Sequence, residues 1–286
     1  MQAFSAASNC VVRDSTFVEV NYSGDNSTAL RILFDASIPD AVHDSRAQEV
    51  ATKYLPKVPC EGIVDQITTC IHQSSAPFSL VWHSGPKSNL THLCAERLSN
   101  QLAATFFFSR KCHLEDPRQF FTTIACQLAI LIPAYEALLE ARLRRNPSLV
   151  SKRLEVQFRE LIEVPFRQLE RAHEIGTQNL ILVDGLDECD DLHDRYEILR
   201  IINGSKGKLP FRWLIFCRSD VGMRRRLAGL NSVSANSWEL ISANCYYERG
   251  RALALKAPGI WLSRGRGRMK REYCYVLFIG LVSLFD

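Results

Sequence analysis

Leu180, Ile181, Leu182 and Val183 form an unbroken apolar run that leads straight into Asp184-Gly185-Leu186-Asp187-Glu188. A run with no polar alternation reads as a strand buried on both faces, the situation of a strand in a parallel sheet covered by helices. Its acidic end sets a carboxylate at the C-terminal edge of that sheet, where open α/β sheets bind ligands. The plainer reading is a strand followed by a turn, with Asp187 or Asp190 capping the next helix.

Other segments repeat the pattern. Phe78–Trp82, Ala103–Phe108 and Arg212–Cys217 read as further strands. Helical spacing is expected over Leu90–Leu102, Pro117–Ile132, Ala134–Arg145, Leu154–Ala172 and Asp191–Ile202. Apolar strands alternating with helices predict an α/β fold with a parallel sheet flanked by helices. Residues 59–230 form the expected core. Residues 1–58 read as a weakly structured leader with one short alternating strand at Phe17–Tyr22, and residues 231–286 as an irregular basic tail.

Charge and cysteine content narrow the function classes. Eight Lys/Arg and no acid lie between Arg249 and Arg271, and the rest of the chain holds 27 Lys/Arg against 31 Asp/Glu. The body is thus mildly acidic and offers no broad basic face for nucleic acid. Only the Arg264-Gly265-Arg266-Gly267-Arg268 stretch could bind phosphates. The alternative reading of the tail is a misassigned exon. The ten cysteines are scattered singly with no CxxC pair, which predicts reduced, mostly buried thiols. Neither Cys189 with His193 nor Cys112 with His113 makes a four-ligand metal set. No secretory segment opens the chain, and the apolar stretch Cys274–Phe285 is too short to span a bilayer. A cytoplasmic protein without a membrane span is expected.

The string Ile181-Leu182-Val183-Asp184-Gly185-Leu186-Asp187-Glu188 resembles the Walker B element, here 180–188, of NACHT domains. It looks like the large fungal set related to the nephrocystin N-terminal P-loop domain, within the STAND class. Leu102–Arg110, Asp116-Pro117-Arg118 with Phe120–Ala129, Gln157-Phe158 through Pro165, and Leu209–Arg218 resemble the same family in order, as does the preceding linker Ile38–Arg46. The resemblance implies a P-loop NTPase-type sheet that binds ATP or GTP with Mg2+. It implies Asp184 and Ser88 as metal-holding residues, Asp187 or Glu188 as the acid that polarises the attacking water, and Arg218 as a sensor for the γ-phosphate. From position alone, Arg218 is equally a solvated arginine or one paired with Asp220.

The phosphate loop departs from the family. The family reads GPAGAGKS or close to it, whereas Gly85-Pro86-Lys87-Ser88 is all that remains here. Four residues are missing, and with them most of GxxxxGK[ST]. A P-loop grips phosphate through successive main-chain amides that converge at a helix N-terminus. Pro86 removes one further donor beside the lysine. Gly85, Lys87 and Ser88 therefore form a Walker A remnant, 85–88, that can attract an anion but is too short to enclose a triphosphate. The expected function is a signal-transduction NTPase core impaired in nucleotide binding and hydrolysis. The alternatives are a non-catalytic scaffold that self-associates or pairs with NACHT relatives, and a truncated, non-functional paralogue.

Overall fold

The computed structural model describes residues 27–53, 61–73, 78–84, 89–170, 178–205, 208–218, 239–244, 246–248 and 251–253. Five strands, β1 (Phe78–Ser84), β2 (Leu102–Phe107), β3 (Leu180–Asp184), β4 (Arg212–Arg218) and β5 (Glu239–Asn244), form one sheet in the order β2-β3-β4-β1-β5. Every neighbouring pair is parallel. The α/β class and the flanked parallel sheet expected from the sequence are what the chain adopts. A short antiparallel pair, β6 (Tyr246–Glu248) and β7 (Arg251–Leu253), lies outside that sheet.

Two faces follow from the connections. The link leaving β1 runs back across β4 and β3 to reach β2, while those leaving β2, β3 and β4 run the opposite way. Right-handed crossovers put these two directions on opposite sides of the sheet. Accordingly α3 (Glu61–Gln73) and α4 (Leu90–Arg97) pack on one face, against Leu180, Leu182, Leu214 and Phe216. On the other face α5 (Phe120–Leu131), α6 (Pro133–Arg145) and α9 (Leu192–Gly204) cover Ile181, Val183, Trp213 and Ile215. The strict alternation along β3 and β4 is the period-2 geometry of strands that are buried twice over. β1 is the strand at which the connections change face, which makes its C-terminal end the switch-point crevice of the fold.

The helix that follows α6 has a local fault, and α6 repairs it. Residues 154–170 run as α7 (Leu154–Gln157), a π segment (Phe158–Glu163) and α8 (Val164–Glu170). Pro165 has no N–H to offer Leu161 four residues back. Tyr135 replaces it, its hydroxyl donating to the Leu161 carbonyl at 2.5 Å. The π shift sends the Val164 amide to Arg159 instead of Glu160, and Arg142 Nε takes the vacated Glu160 carbonyl at 3.1 Å. Tyr135 also stacks on Phe166 with ring centroids 4.4 Å apart.

Two boundaries differ from the sequence expectation. The leader was expected to be weakly structured, yet α1 (Thr28–Asp35) and α2 (Arg46–Lys53) form within it. Ser27 caps α1, Glu140 accepts from the Ala29 amide at 2.7 Å, and Ala29 and Leu33 are fully buried. Tertiary packing supplies what an eight-residue helix lacks in isolation. The linker that follows is tied down by Ile38 N to Thr123 and His43 N to Thr105. The core was expected to end at 230, yet β5 adds a strand beyond it. An edge strand pairs on one side only and does not need the continuous apolar run that marks a central one. The expected strand at Phe17–Tyr22 and the Arg-Gly stretch lie outside the described residues.

Candidate functional site

Asp184 closes β3 at the C-terminal edge. Val183 and Leu80 both pair with Ile215 of the strand between them, so Asp184 lies level with Val81 of β1, two strand spacings or about 10 Å away. β1 runs on to Ser84. Gly85, Lys87 and Ser88, which follow, lie outside the described residues.

Side-chain parity puts Asp184 on the α4 face with Leu182, and there it meets α4 itself. Thr91 donates its hydroxyl to Asp184 Oδ1 at 2.7 Å, and both side chains are buried. A carboxylate removed from water needs such a donor. The helix packs closely enough to reach it because Leu90, Cys94 and Ala95 are buried and the His92 ring lies 4.6 Å from that of Phe107.

Beyond Asp184 the chain must turn sharply. Gly185 does so at φ 66°, a left-handed conformation that costs a side-chain-bearing residue energy. Leu186–Glu188 then form one 3-10 turn, closed by the Glu188 amide on the Gly185 carbonyl at 2.7 Å. This turn presents two acids in different directions. Asp187 reaches β4, where its Oδ1 accepts the Arg218 main-chain amide at 2.8 Å and its Oδ2 accepts Arg218 Nε at 2.7 Å. Glu188 reaches back to the end of β2, where its Oε2 accepts the Arg110 amide at 3.1 Å. Arg110 returns two longer bonds to the carbonyls of Asp187 and Cys189.

Arg218 ends β4 opposite His83 of β1 and shares the α4 face with Phe216. Its bond to Asp187 makes the guanidinium more basic than usual, against partial burial, and the charges of Glu188 and Asp184 add to the effect. All three acids thus act on one cation at the switch-point edge. Among the described residues the partner of Arg218 is Asp187; Asp220, the other pairing the sequence left open beside a solvated arginine, lies outside them. Two contributors had no sequence signal. Thr91 and Arg110 enter only through contacts 93 and 78 residues long.

Among the described residues most thiols are buried, as expected: Cys94, Cys126, Cys189 and Cys217 lie inside, and burial pushes Cys94 and Cys189 up to about 12 and Cys126 up to about 11. Cys189 is buried while His193 is exposed, so the two do not converge. A cleft of about 870 Å3 lined by Asp35, Asp116, Gln157 and Glu197 belongs to the face opposite α4, away from these acids. Among the described residues, no helix is long and apolar enough to cross a membrane.

Residues 60–218 match the family described as Nephrocystin 3, N-terminal. No curated protein matches the chain. Among solved structures it is similar to a chain of Drosophila ORC bound to GC-rich DNA and Cdc6, with 10% identity and a TM-score of 0.38 over 84% of this chain and 36% of that one. It is also similar to a chain of Drosophila ORC bound to DNA, with 12% identity and a TM-score of 0.37 over 83% and 37%. The chain spans little more than a third of the length of those chains.

Proposed function

The chain belongs to the nephrocystin 3 N-terminal family, and from that premise we propose that its core is a nucleotide-binding module of the NTPase type, weakened by a short phosphate loop. The observation that carries this reading is the buried Asp184, held by Thr91 at the C-terminal edge of the sheet on the face of the helix that follows β1. That is where the ligand crevice of an open α/β sheet lies.

The ligand in this reading is ATP or GTP with Mg2+. Asp184, and Ser88 outside the described residues, are the side chains that would hold the ion. A carboxylate and a hydroxyl are hard oxygen donors that suit it, and the Thr91 bond fixes the carboxylate's orientation. When bound, the ion neutralises charge on the phosphates. In the family pattern Asp187 or Glu188 is the acid that would orient water, and Arg218 is a cation for the terminal phosphate. Lys87 and Gly85 supply what remains of the phosphate cradle. With four residues missing and no N–H on Pro86, few amides converge there, so binding is weak and hydrolysis slow or absent. The cellular role that fits is a NACHT-class signalling core of the STAND type in the cytoplasm, able to self-associate or to pair with NACHT relatives. Isothermal titration of the full chain with Mg-ATP and Mg-GTP tests the reading. Weak saturable heats with either nucleotide support it, and no binding at millimolar concentration ends it.

A second reading, a non-catalytic scaffold, is favoured by one observation. Asp184, Asp187 and Glu188 each have a partner inside the protein, in Thr91, Arg218 and Arg110. In that case Lys87→Ala and Asp184→Ala leave the affinity for a partner copy unchanged, whereas the nucleotide reading couples the two.

A further inference from the structure

Of the two acids in the Leu186–Glu188 turn, Asp187 is committed to Arg218 by both carboxylate oxygens. One bond holds the arginine's main chain and the other its Nε, and neither uses the terminal Nη groups. Among the described residues Nη1 and Nη2 have no partner, and the Arg218 side chain is 47% exposed while that of Asp187 is 10% exposed. A carboxylate that meant to neutralise a guanidinium would take two of its parallel N–H bonds. Among the described residues this one grips the stem and leaves the outer fork unpaired, and a guanidinium fork is the group that binds phosphate in a bidentate manner.

We propose that Asp187 is a positioning residue that aims Arg218, whose two Nη groups form the anion-binding fork of the site. The ligand class is a polyphosphate, and the inference deepens the nucleotide reading of the same crevice. Three features support the assignment. The Arg218 amide is fixed along with its side chain, so the arm swings from a pinned base. The turn that carries Asp187 is fixed by the left-handed Gly185 and by Arg110 on its carbonyl. The Arg218 side chain is half exposed at the sheet edge, where an anion could reach it.

Tripolyphosphate, which has no base or sugar, is the probe, titrated in parallel with Mg-ATP into the full chain. Arg218→Lys and Asp187→Asn are each expected to weaken tripolyphosphate binding about tenfold. The double variant is expected to be no weaker than the worse single one, because the two residues act as a unit. In 15N spectra the Arg218 Nε–H is expected to exchange slowly in the parent and fast in Asp187→Asn, even where that variant is less stable. No tripolyphosphate binding by the parent, unchanged affinity in Asp187→Asn, or additive losses in the double variant would overturn the proposal. Binding of tripolyphosphate without binding of Mg-ATP upholds the aimed arginine and removes the nucleotide reading.

Discussion

Thr91 and Asp184 stand 93 residues apart in sequence and share a hydrogen bond of 2.7 Å with both side chains buried. The bond ties the helix after β1 to the end of β3, across the strand that separates them in the sheet. It therefore joins α4 directly to the sheet edge at which β3 ends.

Thr91→Val keeps the shape of the side chain and removes the donor, leaving a buried carboxylate oxygen short of one bond. Unfolding in urea is expected to show a loss of about 2 kcal/mol. Thr91→Ser, which keeps the hydroxyl, is expected to lose well under half of that.

Tyr135→Phe tests the repair of the helix at Pro165. The variant keeps the stacking on Phe166 but strands the Leu161 carbonyl, which has no Pro165 N–H to fall back on. A loss of about 1–3 kcal/mol is expected in denaturant titrations. Restoring the donor from the other side with Pro165→Ala in the same chain is expected to recover part of it.

How far the sequence disclosed this arrangement depends on the range of each contact. β3 was readable because Leu180–Val183 are buried on both faces, which demands an uninterrupted apolar run, and the acid at its end was readable for the same reason. α1 was missed because its stability comes from Glu140 and from the packing of Ala29 and Leu33, while Ser27 is a modest capping signal on its own. β5 was missed because an edge strand with two strong apolar residues, Leu240 and Ile241, has little to distinguish it. Asp187, Glu188 and Arg218 were legible as candidates from their strings. That Asp187 would spend both oxygens on Arg218 was not, since a pairing 31 residues long leaves no local mark.

The Glu140 tether makes the N-terminal helix acid-sensitive. Partial burial opposes the charge on Glu140, but the Ala29 amide, Arg144 and Ser27 outweigh it and hold the carboxyl below its ordinary value. A lowered folded-state value means stabilisation that is complete above the unfolded carboxyl value, about 4.3, and lost as pH falls through the lower folded one. Protection factors for hydrogen exchange over Thr28–Asp35, corrected for the intrinsic rate at each pH, are expected to fall between about pH 5 and pH 3, and Glu140→Gln is expected to flatten that dependence.

Burial also protects the thiols. With Cys94 and Cys189 pushed up to about 12 and Cys126 to about 11, almost no thiolate exists at pH 8. Mass mapping after brief alkylation is expected to find these three unmodified in the native chain and modified in denaturant. Labelling of Cys94 without denaturant would show that α4 does not pack on the sheet as described.

The account rests on Asp184 and the turn between β1 and α4 facing a single polyphosphate crevice. Titration of the isotope-labelled full chain with Mn-ATP reads this directly, because the paramagnetic ion broadens nearby amide signals. The expected result is joint broadening of Asp184–Glu188 and of Leu90 and Thr91, with α6 unaffected. Broadening of one segment without the other, or of neither at saturating Mn-ATP, would contradict it.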